Sequence, residues 1–346
     1  MSQKAIIIPS VQAPFEITSR DIPTPSPGEV LVKIMSVALN PVNWAQRQRN
    51  FFIEGYPAVV GNDIAGVVEQ VGAGVKGFAK GDRVFAQTVG GGFQQYTTLP
   101  AAVLMRIPEK SSFEVVATFP VTFTTACVGL FAPAPIGLGL NPTFSWDKPH
   151  QGKSALVIGG STSTGQFAIQ LLKFLGFTKI VVYASKTHFD YLGTLGGTDF
   201  IDRTAVPVDA IPAHVGKVHV VFDSTFTGAL DAAYDCAAEG GRIVTVRPRA
   251  KSDRTRPDVT LVRVHGYYAG PDVVKFKAIG YLAVPEHTVF GKLIIENLPA
   301  MLEKGAIRGN RYEVLPNGLA GILEGLERME KGGVSGVKLV AHPQDV

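Results

Sequence analysis

The sequence contains only two cysteines, Cys127 and Cys236, among its 346 residues. So few thiols are typical of a protein of the reducing cytosol, and both are expected to be free. The sequence also lacks any run of about 18 apolar residues, the length that a membrane-spanning helix needs. Residues 1–9 are too short, and too soon interrupted by proline, to form a signal peptide. We therefore expect a cytoplasmic protein with no membrane partner.

An excess of one charge is absent as well. The net charge is +4, and no block of lysine and arginine stands out from the rest of the chain. Residues 247–256 hold five basic side chains and one Asp, a cluster more typical of a solvated loop than of a docking surface. Nucleic acid is therefore not expected as a partner. The hydrophobic content of 46% and the charged content of 18% predict a sizeable core, in one large or two ordinary domains.

The pattern of the sequence changes along the chain. The first third has short apolar or alternating runs between Gly, Pro and Asp, which predicts a small β-barrel. Residues 113–131 are predicted to be helical, and 133–149 to be an irregular loop. Strands then alternate with helices such as 165–175 and 229–238, which predicts a doubly wound parallel sheet. The predicted strands are 5–9, 29–39, 63–71 and 83–86 in the barrel, 154–158, 179–184, 199–201, 218–223, 242–246 and 260–264 in the parallel sheet, and 338–341 after helices at 293–304 and 318–331.

The most informative segment is residues 154–176, which predicts a strand, a turn of small residues and an amphipathic helix. Gly159 and Gly160 permit a tight turn, and Gly165 lets the helix lie close to the strand. Such a turn presents free backbone N–H groups and the positive end of a helix to an anion, typically a nucleotide pyrophosphate. Thr162 stands at the middle glycine of the usual pattern, so a strand–helix turn without a ligand stays open as an alternative.

The tip of the next predicted strand is Ser185-Lys186-Thr187-His188. An NAD site usually carries Asp or Glu there, which accepts hydrogen bonds from the ribose hydroxyls. Here a hydroxyl and a cation stand in its place, and the first acid, Asp190, already belongs to the next helix. This composition suits a 2′-phosphate, so the sequence favours NADPH over NADH. The alternative is a solvated serine and lysine on a loop.

Six further motifs occur along the chain in a recognisable order. They are Pro27-Gly-Glu-Val-Leu-Val, Leu39-Asn-Pro-Val-Asn-Trp, Gly61-Asn-Asp-Ile-Ala-Gly, Gly81-Asp-Arg-Val, Thr122-Phe-Thr-Thr-Ala and Gly333-Val-Ser-Gly-Val-Lys-Leu-Val. Together they resemble the medium-chain dehydrogenase/reductase family. The last motif and the Gly159-Gly-Ser-Thr turn resemble its fungal trans-acting enoyl reductases. The resemblance implies an α/β fold, in which a Rossmann doubly wound parallel sheet (121–289) is inserted in a GroES-like β-barrel catalytic domain (1–120 plus 290–346).

The resemblance also implies which residues bind the cofactor, NADPH. Pro41, Val42, Asn43 and Trp44 would flank the nicotinamide, with Thr125 near its carboxamide and Val246 and Arg247 touching the ring through backbone groups. The remaining implied contacts are Gly160, Ser161, Thr162, Ser163, Thr164 and Gly165 at the pyrophosphate, Ser185, Lys186, Thr187 and His188 at the 2′-phosphate, Arg203 beside the adenine, and Val334, Ser335 and Lys338 closing over the cofactor.

No metal is expected. By the same resemblance, Asn40 stands where zinc-dependent members have their first Cys ligand, and Asn62 where they have a His. Catalytic zinc needs Cys, His or carboxylate ligands around an open position. The closest histidines, His214 and His219, are five residues apart, and on a strand edge that spacing puts them on opposite faces.

Without a metal ion, the protein has no Lewis acid to polarise a carbonyl. Zinc-free members commonly reduce a polarised C=C bond, and hydrogen-bond donors hold the charge that develops on oxygen. Relatives tend to carry Asp and Lys where this chain has Asn43 and Ala45, which leaves no obvious proton donor. Our catalytic candidates are Asn40 and Tyr56, although Tyr56 could simply pack. Tyr267 and Tyr268 are candidates for shaping the substrate pocket.

The first hypothesis is thus an NADPH-dependent reductase of an enone or enoyl group. The substrate is a small molecule, with an acyl chain on a carrier as one form of it, and the protein is a monomer or homodimer. Two alternatives stay open: an NADPH quinone oxidoreductase, and a dinucleotide-binding sensor that has lost catalysis. A zinc alcohol dehydrogenase is disfavoured by Asn40 and Asn62.

Overall fold

The chain divides into two compact units in a computed structural model that describes residues 1–50, 52–264, 275–276, 281–282 and 285–345. The first, the barrel unit, comprises Met1–Val121, Tyr268–Glu303 and Gly309–Val346. The second, the Rossmann unit, comprises Thr122–Tyr267 and Lys304–Arg308. The junction at 121–122 lies next to the boundary expected at 120–121, and residues 285–289, expected in the Rossmann domain, are part of the barrel unit.

The described elements include eighteen strands and nine α-helices. The strands are β1 (Ser2–Ile8), β2 (Glu16–Asp21), β3 (Glu29–Ala38), β4 (Ala58–Val59), β5 (Asp63–Val71), β6 (Arg83–Gln87), β7 (Tyr96–Pro100), β8 (Met105–Arg106), β9 (Ser154–Ile158), β10 (Lys179–Ala184), β11 (Asp199–Asp202), β12 (Val218–Asp223), β13 (Ala237–Thr245), β14 (Thr260–Arg263), β15 (Lys275–Phe276), β16 (Tyr281–Leu282), β17 (Tyr312–Val314) and β18 (Lys338–Ala341). The helices are α1 (Pro41–Arg49), α2 (Phe113–Ala117), α3 (Pro120–Phe131), α4 (Ser163–Phe174), α5 (Phe189–Leu195), α6 (Ile211–Val215), α7 (Leu230–Cys236), α8 (Pro285–Glu303) and α9 (Gly318–Glu330).

The barrel unit contains a seven-stranded sheet in the order β17-β18-β3-β5-β6-β8, with β7 paired to β3, and a three-stranded sheet β2-β1-β4. The inward-facing side chains form its core, in which Ile6, Ile34 and Phe93 are fully buried. β18, from the end of the chain, pairs antiparallel with β3. This pairing joins Val340 to Ala38, so that Lys338, two residues earlier in β18, lies near the end of β3.

The helical structure predicted over 113–131 is confirmed and consists of two helices, α2 and α3. Ser112 caps α2, with its side chain accepting from the backbone N–H of Val115, and α3 begins at Pro120. A proline has no N–H to donate and its ring blocks the preceding turn, so it starts a helix far more easily than it continues one. The break between α2 and α3 therefore comes directly before this proline.

The Rossmann unit is built on six parallel strands in the order β11-β10-β9-β12-β13-β14. Successive strands are added first on one side of β9 and then, from β12 onward, on the other side. The boundary between β9 and β12 is therefore the switch point at which doubly wound sheets bind ligands. Leu156, Val221 and Ile243 are fully buried in its core. His214 lies in α6 and not on a strand, so the placement of His214 and His219 along one strand edge was wrong. None of the helices in the described ranges is both long and apolar enough to cross a membrane.

Candidate active site

The turn after β9, Gly159–Gly165 (the glycine turn), is so tight that its glycines have no room for a side chain. Gly159 has φ +80°, a backbone conformation that residues other than glycine rarely adopt. A Cβ on Gly160 would lie 2.2 Å from Val182 Cγ1, and one on Gly165 would lie 2.3 Å from the carbonyl oxygen of Gly159. The predicted roles of these glycines are confirmed, because only hydrogen fits where α4 begins against β9.

The glycine turn also leaves donors unused at the start of α4. Thr162 caps the helix, its Oγ1 accepting from Gly165 N–H at 2.9 Å and donating to Ser224 Oγ at 2.9 Å. The backbone N–H groups of Ser161 and Thr164 make no hydrogen bond within the described part of the chain. Unpaired N–H groups at a helix N-terminus favour a bound anion. This is the feature that a dinucleotide pyrophosphate requires.

The tip of β10 carries the residues predicted for a 2′-phosphate. Arg203, exposed at the end of β11, donates from Nε to Ser185 Oγ at 2.6 Å. Its guanidinium therefore lies beside a residue predicted for the 2′-phosphate, and its place beside the adenine stays a prediction. Lys186 opens the 3₁₀ turn Lys186–His188, and its side chain is exposed. A hydroxyl, an ammonium and a guanidinium thus come together from two adjacent strands.

Sequence reasoning missed one acid at this tip. Asp202 ends β11, and its Oδ1 accepts from the backbone N–H of Lys186 at 3.3 Å and of Thr204 at 3.1 Å. Hydrogen bonds from Thr204, and after them Lys186, hold the pKa of Asp202 below its usual value. The parallel pairing of β10 with β11 could have revealed it, because adjacent strands end at the same edge.

The tips of β12 and β13 complete the same edge of the sheet. Asp223 is fully buried and accepts from Thr225 and Thr245. Burial raises the pKa of its carboxyl, although these hydrogen bonds oppose the shift. Val246 donates its N–H to the carbonyl oxygen of Asp223 at 3.1 Å, and Arg247 follows, half-buried. Because these strands are parallel, the tips of β9, β10, β12 and β13 lie along one edge of the sheet.

In the barrel unit, a second polar group surrounds Asn40. The Nδ2 of Asn40 donates to Asp63 Oδ2 at 2.7 Å, and its Oδ1 accepts from Lys338 Nζ at 2.5 Å. The ammonium of Lys338 also lies 3.2 Å from Asp63 Oδ2. Asn40, Asp63 and Lys338 are exposed by only 1%, 0% and 3%. Burial raises the pKa of Asp63 and lowers that of Lys338, and the attraction between the two opposes both shifts.

A chain of amides continues from Asn40. The backbone N–H of Asn40 donates to Asn43 Oδ1 at 2.8 Å, and Asn43 Nδ2 donates to Asn62 Oδ1 at 2.6 Å. Asn62 in turn donates to the carbonyl oxygen of Thr88 at 2.9 Å. The two residues at the metal-ligand positions, Asn40 and Asn62, are thus linked through Asn43. Sequence reasoning missed Asp63 as a member of this group.

The two catalytic candidates lie at opposite ends of α1. Asn40 caps its N-terminus, whereas the hydroxyl of Tyr56 donates to Asn50 Oδ1, at the C-terminal cap, at 2.5 Å. At 1.5 Å per residue these caps are about 15 Å apart. Burial raises the pKa of Tyr56. The structure therefore does not bring Asn40 and Tyr56 together.

The other predicted residues are spread over both units. Pro41, Val42 and Trp44 belong to the first turn of α1, and Thr125 is a buried residue of α3. Val334 packs on the core of the barrel unit and Ser335 is exposed, both between α9 and β18. Tyr267 and Tyr268 lie outside the described residues.

Comparison with known proteins identifies the family. The alcohol dehydrogenase GroES-like domain matches residues 26–109, and the zinc-binding dehydrogenase domain matches 163–263. Trans-enoyl reductase ACTTS2 of Alternaria alternata is 31% identical over 98% of both chains. Dehydrogenase pigH of Monascus ruber is 30% identical over 96% of this chain and 97% of that protein. The chain belongs to the medium-chain dehydrogenase/reductase family.

This medium-chain dehydrogenase/reductase is an oxidoreductase, and its Rossmann unit implies a nicotinamide cofactor. Its fold is that of the CurK enoyl reductase, with a TM-score of 0.77 at 21% identity over 99% of this chain and 98% of that one. The human synaptic vesicle membrane protein VAT-1 homolog-like protein matches with a TM-score of 0.74 at 20% identity over all of both chains. The predicted fold class and family are confirmed.

Proposed function

We propose that this protein is an NADPH-dependent reductase that transfers hydride to an activated C=C bond, of an enone or enoyl group, without zinc. Relatives of nearly the same length are named trans-enoyl reductases, among them ACTTS2 and buaC of Petromyces alliaceus, 30% identical. The observation that carries the proposal is the state of the two metal-ligand positions. Both are amides, and both are already hydrogen-bonded inside the protein.

The residues present do not fit a catalytic zinc ion. Asn40 and Asn62 offer no thiolate or imidazole, and Asp63 is paired with Lys338. Within the described ranges, no three His, Cys, Asp or Glu side chains form a group that could hold a metal. We expect elemental analysis of the purified protein to find no stoichiometric zinc. About one zinc per chain, retained against a chelator, would contradict this part of the proposal.

The preference for NADPH is supported by the tip of β10. Ser185, Lys186 and Arg203 offer one hydroxyl and two cations, a set that suits a phosphate dianion better than a ribose diol. The carboxylate of Asp202 is already occupied by the backbone N–H groups of Lys186 and Thr204, so it is less available to ribose hydroxyls. The glycine turn would hold the pyrophosphate with the free N–H groups of Ser161 and Thr164.

The bound nicotinamide would supply the hydride. The chain's own task is to hold the reactants and the charge that develops on the substrate oxygen. Asn40 cannot donate a proton at neutral pH, and the hydroxyl of Tyr56 already donates a hydrogen bond to Asn50. We therefore propose water as the source of the proton that reaches the α-carbon, with Tyr56 as the alternative acid.

The deciding experiment is turnover of NADPH against enones, enoyl thioesters, free and carrier-bound, and quinones. Reduction of enones or enoyl thioesters, with reduced C=C bonds in the products, supports the proposal. Turnover of quinones alone makes the protein a quinone oxidoreductase. Tight binding of NADPH with no turnover across the panel makes it a dinucleotide-binding sensor, consistent with Asn43 and Ala45 in place of charged residues.

A further inference from the structure

Lys338 and Asp63 form an ion pair inside the barrel unit, exposed by only 3% and 0%. Such pairs add little net stability, because the attraction barely repays the removal of two charges from water. Replacing both partners by uncharged residues is often neutral, whereas removing one leaves a buried charge without its counterion. Stability alone therefore does not explain why this pair lies within the polar group around Asn40.

The amide of Asn40 is held between the two charges. Its oxygen accepts from the Lys338 ammonium, and its NH₂ group donates to the Asp63 carboxylate. The reversed amide would set NH₂ against the ammonium and oxygen against the carboxylate, and both contacts would be repulsive. The ion pair thus allows one orientation of the Asn40 side chain. We call these three residues the Lys338 clamp.

The clamp makes hydrogen bonds to the first turns of two helices, α1 and α3. Asn40 is the N-cap of α1. Its backbone N–H donates to Asn43 Oδ1 at 2.8 Å, and its carbonyl oxygen accepts from the backbone N–H of Asn43 at 2.9 Å. The second oxygen of Asp63 accepts the N–H of Val121, in the first turn of α3, at 2.8 Å. A carboxylate is favoured there because the helix dipole places partial positive charge at the first turn of a helix. One buried carboxylate therefore joins the first turns of α1 and α3 to β18.

We propose that Lys338 is a positioning residue: through Asn40 it orients the first turn of α1, which carries Pro41, Val42, Asn43 and Trp44. The inference rests on the proposed function only in that this turn is expected to face the nicotinamide. It assigns to Lys338 a role behind that turn, where the sequence suggested a direct contact with the cofactor.

The test compares two variants, Lys338→Met, which removes one charge, and the double variant Lys338→Met with Asp63→Asn, which removes both. Lys338→Met should lower the unfolding temperature, and the double variant should recover most of that loss. Backbone hydrogen exchange in residues 40–49 should be about tenfold faster in both variants, because local opening follows local contacts. A purely structural role predicts that exchange recovers together with the unfolding temperature. That recovery would overturn the proposal.

The kinetic readout separates positioning from cofactor contact. In the double variant, kcat should fall about 10- to 100-fold, the range for a misplaced reacting segment, while the Kd for NADPH stays within about threefold. A much weaker Kd for NADPH with unchanged exchange in 40–49 would mean that Lys338 contacts the cofactor, which also overturns the proposal. The matched control is Lys331→Met, at an exposed lysine that forms an i,i+4 ion pair with Glu327. It should leave kcat, the Kd for NADPH and the exchange in 40–49 unchanged. If the wild type reduces nothing, the proposed function fails, and the exchange measurement still decides the role of the clamp.

Discussion

The glycine turn of the Rossmann unit and the Lys338 clamp of the barrel unit are built from different parts of the chain. The glycine turn uses backbone groups of seven consecutive residues, and its shape depends on glycines that leave no room for a Cβ. The clamp uses side chains, and two of its members, Asn40 and Lys338, are 298 residues apart. Backbone groups that bind a phosphate tolerate changes of the side chains around them, whereas a side-chain clamp fails when one member changes. The comparison predicts different kinds of sensitivity in the two units.

The largest effect is expected at the glycine turn. Gly165→Ala places a Cβ 2.3 Å from the carbonyl oxygen of Gly159, a backbone atom that cannot easily move. We expect a loss of about 3 kcal/mol of stability, the upper part of the range for overpacking, together with the loss of NADPH binding. Thermal unfolding and NADPH fluorescence measure the two effects. Gly55→Ala is the control, because its Cβ would meet nothing within 4 Å. Normal binding in Gly165→Ala would show that the close approach is not needed.

The amide chain of the barrel unit should be the next most sensitive. Asn43→Ala removes the acceptor for the backbone N–H of Asn40 and the donor to Asn62 Oδ1. It also removes the donor to Gln46 Oε1, and buried groups left without partners should cost about 2 kcal/mol or more, measured by chemical unfolding. Gln48→Ala, at an exposed position on the same helix, should cost far less. Equal costs for the two variants would argue that the buried amides contribute nothing beyond helix packing.

The tip of β10 tests the cofactor. Lys186→Ala should weaken NADPH binding by about 1–3 kcal/mol, the range for a charge-assisted contact, and should leave NADH binding nearly unchanged. The measurement is the Kd for each cofactor. Lys179→Ala, at the opposite end of β10, is the control and should affect neither. Equal losses of affinity for both cofactors would mean that Lys186 does not contact the 2′-phosphate.

The smallest effect is expected at Tyr56. Tyr56→Phe removes one hydrogen bond, to Asn50, and should cost about 1 kcal/mol of stability. Turnover should stay close to that of the wild type if water is the source of the proton, as proposed. A fall of about 10²–10⁴-fold in turnover with NADPH affinity intact would instead identify Tyr56 as the acid. Measuring kcat and the Kd for NADPH in one variant decides between the two.

Much of the fold could be predicted because its signals are local. The bounds of β9, β10, β12 and β18 agree with the predicted strands, since each is a short apolar run with polar or glycine-rich flanks. The helical structure predicted over 113–131 is interrupted directly before Pro120, a residue that is itself a local signal for a helix start. The early start of β13, at Ala237, was not predicted because those residues continue the helical pattern of α7.

The candidate site divides in the same way. Residues 159–165 and 185–188 were identified from the sequence, because each motif is contiguous and follows a predicted strand. The contacts of Arg203 with Ser185, and of Asp202 with the backbone of Lys186, required the pairing of β10 with β11. The separation of Asn40 from Tyr56 required the actual length and position of α1.

The sequence by itself determined the glycine turn, the parallel sheet behind it and the absence of zinc ligand types at Asn40 and Asn62. These features depend on backbone sterics and on residue identity, both of which are written in a few neighbouring positions. Only the tertiary structure decided that Lys338 lies against Asp63 and Asn40, and that Asn40 is thereby held in one orientation. A contact of this kind depends on which strands pair and how the core closes around them, and no local pattern carries that information.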